Sequence, residues 1–73
     1  MKKWDEVHNP NSCLNKAKDD ETIFVILSRD KAAPNSVRFW AQERIDLGLN
    51  KPGDQKIIDA YKRAEEMEAE QNA

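Results

Sequence analysis

The chain has 73 residues, 36% of them charged, a formal net charge of −2, one cysteine and one histidine. One domain over residues 1–73 is expected, and at this size a single core yields only ~3–5 kcal/mol, so small folds add disulfides, a metal or oligomerisation. Cys13 has no second cysteine to pair with in the chain, and with His8 it falls short of a four-ligand zinc site. No metal or cofactor is therefore expected, and homo-oligomerisation is the staple that is left.

Partners and compartment follow from the same counts. Lysines and arginines are scattered from Lys2 to Arg63, while Glu65, Glu66, Glu68 and Glu70 crowd the C-terminus. A duplex-binding domain normally carries a basic face or stripe, so the composition argues against nucleic acid. Lys2 and Lys3 precede no apolar stretch, which excludes a signal peptide. The longest apolar run, Ile23-Phe24-Val25-Ile26-Leu27, is far shorter than the ~20 residues of a membrane helix. The reading is a protein of a reducing cytoplasm.

In chain order, residues 1–8 place Trp4 and Val7 among charges, as a segment that frays or docks. Asn9-Pro10-Asn11-Ser12 is a turn and cap cluster. It leads into a first helix at 12–18, with Cys13, Leu14 and Ala17 on one side. Residues 22–28 form the clearest strand: β-branched, free of Gly and Pro, and apolar on both alternating faces. A buried helical segment competes with that reading, since periodicity does not separate the two over so few residues. A lone strand leaves its backbone groups unpaired. Its partner is then a weak segment near the N-terminus or the same strand of a second copy, and pairing between copies also meets the need for a staple. In such an assembly Phe24 and Ile26 belong to the interface.

Asp30 to Pro34 turns the chain into a second helix at 34–47, with Val37, Trp40, Ala41, Arg44 and Leu47 on one face and Phe39 beside it. Trp40 reads as packing on the strand, and Phe39, off the stripe, as an exposed anchor for a protein interface. Gly48 is the expected stop. Asp54 caps a third helix running to 68, striped by Ile57, Ile58, Tyr61, Ala64 and Met67. Glutamates at its C-terminal end oppose the helix dipole, so 69–73 is expected to fray. The architecture reads as a small α+β fold, α-β-α-α, with one short apolar strand completed by oligomerisation.

No catalytic constellation is legible. The chain lacks a nucleophile elbow, a zinc helix and a phosphate-cradling glycine loop, since Gly48 and Gly53 both sit at helix boundaries. Cys13 and His8 admit a nucleophile–base pair. The plainer reading packs Cys13 under the strand and leaves His8 at the surface. Asp19-Asp20-Glu21 lacks the alternating ligands and central glycine of a calcium loop. The strand-to-helix junction, 28–38, is more informative. A helix N-terminus there offers backbone N–H groups of Asn35 and Ser36, with Ser28, Arg29 and Arg38 adding contacts to a phosphate or carboxylate. The competing reading has Asp30 bonding those N–H groups and the arginines pairing with carboxylates.

The segments Ser12-Cys13-Leu14-Asn15-Lys16-Ala17, Asp20-Glu21, Phe24-Val25, Arg29-Asp30, Ala33-Pro34, Val37-Arg38 and Trp40-Ala41, with Met67 closing the pattern, resemble small uncharacterised proteins encoded by phages and prophages. The likeness covers roughly residues 12–67 and departs at Thr22, where that pattern has proline. It implies a phage setting in the host cytoplasm and no transferable catalytic residue. The expected function is that of a non-enzymatic binding protein acting stoichiometrically on a host or phage process. Such a protein occupies a protein partner or, as in anti-defence, sequesters a phosphorylated or nucleotide signal. A nucleic-acid-associated regulator reading through helix 34–47 is the alternative.

Overall fold

The computed structural model describes residues 2–73. Four helices follow one another: α1 (Lys3–His8), α2 (Cys13–Lys16), α3 (Ala33–Asp46) and α4 (Gln55–Gln71). They form two pairs. α1 packs on α2 and α3 on α4, and no helix of the first pair packs on one of the second.

The α3–α4 hairpin holds the core. Ala33, Ala41, Ala60 and Ala64 are buried on the facing stripes, with Ile57 the one large side chain among the described residues that is buried completely. Val37 and Ile45 pack against this cluster. Small residues let the two backbones approach, and Ile57 fills the space between them. The hairpin is tied at its turn. Gly48, at φ 74°, adopts the left-handed conformation that residues with a Cβ rarely take. Its N–H reaches Ile45 O at 2.9 Å and that of Leu49 reaches Arg44 O at 3.0 Å, the paired bonds of a Schellman cap. Asp54 sits at the N-cap of α4, but its side chain bonds no helix N–H. Instead it accepts from Lys51 N at 2.9 Å and Asn50 Nδ2 at 3.0 Å, and these bonds hold its carboxyl below the ordinary aspartate range.

The α1–α2 corner is built differently, from polar groups. Its helices have six and four residues, too short to persist without outside bonds. Asn15 supplies them: Nδ2 donates to the carbonyls of Glu6, Val7 and Asn9 at 3.1, 2.9 and 2.8 Å. Those carbonyls lie at the end of α1, where helix carbonyls run out of intrahelical partners. Ser12, the buried N-cap of α2, donates to Glu6 O at 2.6 Å and accepts from Asn15 N at 3.2 Å.

The α+β expectation is corrected here. Among the described residues there is no strand, and the fold is helical throughout. Residues 22–27 run without turn or bend, and 22–26 make no backbone hydrogen bond. A strand exists only by pairing, and among the described residues no segment hydrogen-bonds alongside 22–26. The β-branched run resists helix as well. It becomes an open connector, exposed enough for water to serve its backbone. Helix α1 was not legible, because Trp4 and Val7 among charges give no period. The stops at Asp46 and the cap at Ser12 fall close to the expected boundaries, while α4 continues through Gln71.

Candidate functional site

The junction after the connector is organised by Asp30 and by the end of α4. Asp30 Oδ1 accepts from Ala32 N at 2.8 Å, and its carbonyl accepts from Ala33 N at 2.9 Å. Pro34 occupies the first turn, where a missing N–H is harmless. Gln71 Nε2 donates across to the carbonyls of Ser28 and Asp30 at 2.8 and 2.7 Å. Ser28 and Arg29 thus share a small pocket of ≈ 270 Å³ with Lys31, Glu70 and Gln71. Glu70 accepts from Lys2 Nζ at 2.8 Å. That hydrogen bond, then one from Ser28, then the Lys2 charge hold the Glu70 carboxyl below its ordinary range. The same hydrogen bond, followed by the Glu70 charge, raises Lys2.

Of the five residues assigned to anion binding, Ser28, Arg29 and Ser36 line one groove, described next, while Arg38 and Asn35 bond each other outside it. Ser28 and Arg29 stand beside the Glu70 carboxylate. Arg38 forms an ion pair with Glu68 and donates to Asn35 Oδ1 at 3.0 Å, which occupies both residues within the chain. Glu70 and Gln71 are site residues that the sequence did not point to. Continuing the α4 period 57, 60, 64 by a further turn reaches 67 and 71, and that was the available signal for Gln71.

Between the two helical pairs lies a groove of ≈ 1610 Å³. Val7 and Leu14 line one wall, Val37, Trp40 and Met67 the other, and the connector runs along it. Pockets for small ligands hold roughly 300–1000 Å³, so this opening is scaled to a macromolecular segment. Phe24 is 89% exposed at the groove and Val25 66%, whereas Ile26 is half-buried. Trp40 has no strand to pack on; it is partly exposed, with the Arg44 guanidinium 5.6 Å from its ring centroid. Phe39 is 71% exposed on α3, about half a turn of helix away from the buried Ala41. Glu6 Oε2 is shut off from solvent without a partner, on a side chain lining the groove.

His8 stacks on Trp4 with ring centroids 4.1 Å apart, and its Nδ1 donates to Trp4 O at 2.8 Å. Cys13 is exposed at the start of α2. Among the described residues, no three His, Cys, Asp or Glu side chains gather into a metal-binding group. No helix among them is long and apolar enough to cross a membrane. Neither a protein-family model, nor a curated protein, nor a solved structure matches the chain. The likeness to small phage proteins rests on the quoted residues alone.

Proposed function

We propose that this chain is a binding protein without chemistry of its own, acting in a phage setting by stoichiometric occupation of a host or phage protein. One observation carries the reading: several large apolar side chains stand mostly exposed. Phe24, Val25, Phe39 and Trp4 are each more than 60% exposed, and large aromatic anchors are what protein interfaces use.

Sequestration of a phosphorylated ligand is less well supported. Arg38 is committed to Glu68 and so does not join Arg29 at a shared anion. A nucleic-acid reader on α3 is likewise disfavoured. Arg38 is paired, and Arg44 donates to Asn50 at 2.6 Å while lying over Trp40, so neither is directed at phosphates.

Photo-crosslinking from position 39 in producing cells tests the proposal. The expected result is one saturable protein adduct, lost on competition with unlabelled protein and retained when Arg29 is replaced by alanine. Adduct formation with many proteins in proportion to abundance would overturn it. So would a thermal shift with nucleotides that Arg29→Ala abolishes.

A further inference from the structure

We infer that the groove is closed by a second copy of this chain, in a two-fold dimer in which Phe24 of each copy seats in the groove of the other. The inference goes beyond the proposed function. It concerns the groove, and it leaves Phe39 on the outside for a different protein.

The area argument sets the scale. The chain exposes 6088 Å², whereas a compact monomer of 8.4 kDa exposes about 4600 Å². Its radius of gyration is 13.0 Å, against about 11 Å for a compact domain of this length. The excess area of roughly 1500 Å² per chain exceeds the ~800 Å² per partner of a standard interface and falls in the range of obligate homodimers. The interior points the same way. Among the described residues Ile57 is the one large side chain fully buried, which is too little core for a chain that stands alone. A fold that always needs cover needs a partner that is always present. A second copy is present whenever the first is.

Charge and shape fit that occupant. A two-fold interface must complement itself, because the same patch meets its own copy. Lys3, Lys56 and Arg63 share the groove lining with Glu6, Asp59 and Glu66, so the patch carries both signs and does not repel its copy. Phe24 is the most exposed large apolar side chain described, and it stands at the groove whose Val37, Trp40 and Met67 offer an apolar seat. One chain thus carries both the projection and the recess.

Sedimentation equilibrium and concentration-dependent melting of the full chain test this. The expected mass is that of two chains. Tm should rise by about 5–10 °C over a hundredfold increase in protein concentration, because dimer stability follows mass action. Phe24→Asp should halve the mass or melt the helices, whereas Phe39→Asp should leave the dimer intact. Should Phe24→Asp unfold the chain, Phe24→Ala keeps the test open, since it should leave the helices formed and move the monomer–dimer transition to higher protein concentration. A monomer mass with a concentration-independent Tm would overturn the inference, as would a mass of three chains or more. A dimer lost through Phe39→Asp rather than Phe24→Asp would overturn it as well. Because partner capture is read at position 39 and self-association at position 24, failure of one reading is distinguishable from failure of the other.

Discussion

The α3–α4 hairpin and the α1–α2 corner are held by opposite means. The hairpin buries small apolar side chains and one isoleucine between two long helices. The corner buries no helical residue; Ser12 and Asn15 close it with side-chain bonds to carbonyls, while Trp4, Val7 and Leu14 stay exposed. Packing suits a region that must hold its shape. Directed hydrogen bonds suit one that presents an apolar wall to something outside it, because they fix the backbone without using up its apolar side chains. The groove exists because these two regions do not pack on each other, their described polar link being Lys2 to Glu70.

The strongest way to break this contrast is Ile57→Ala. Removing a fully buried isoleucine costs about 2–5 kcal/mol, comparable to the whole net stability of a domain this small. The hairpin should lose its helical circular dichroism at temperatures where the parent chain is folded. If the truncated chain melted within a degree or two of the parent, the small core would not be what holds α3 to α4.

Asn15→Ala should have a smaller and more local effect, about 1–2 kcal/mol, from the loss of an amide serving three carbonyls. Each region carries one tryptophan, Trp4 in α1 and Trp40 in α3. In a Trp40→Phe background, emission should report earlier melting of the corner. In a Trp4→Phe background the hairpin transition should move little. Equal shifts in both would mean that the two regions unfold as one unit, and the contrast between them would be structural only.

The hairpin was legible in sequence and α1 of the corner was not, for one physical reason. Ile57, Ala60 and Ala64 repeat at the helical period because packing selects one face, and Gly48 marks the stop because only its backbone takes the positive φ at no cost. Helix α1 depends on Asn15, whose role appears only once the chain folds back on itself. The apolar run 22–28 misled for a related reason. Its composition fits a strand, yet a strand is a property of two segments, and composition describes one. At the candidate site, Ser28 and Arg29 line one pocket because they are neighbours in the chain. The partners that decide their chemistry, Glu70 and Gln71, come from the far end of the chain, and so does Glu68, which takes Arg38.

The mildest probe separates the two regions by titration. Asp54 and Glu70 both have lowered pKa values, so each contributes stability that is fully present above its ordinary value and is lost as pH falls through the folded one. Acid therefore loosens the hairpin turn and the Lys2–Glu70 link together, and does not distinguish them. Alkali does. Lys2 is raised above its ordinary 10.5, so its contribution is complete below that value and disappears as pH rises through the folded pKa. Asp54 stays ionised throughout that window. The alkaline limb should consequently release the corner from α4 while the turn at Asn50 and Asp54 stays closed, a small effect because the pair is exposed. Trp4 emission should shift in that limb and Trp40 emission should follow it only weakly, with Lys2→Met abolishing the Trp4 step. An unchanged step in that variant would remove the link from the account of how the groove is framed.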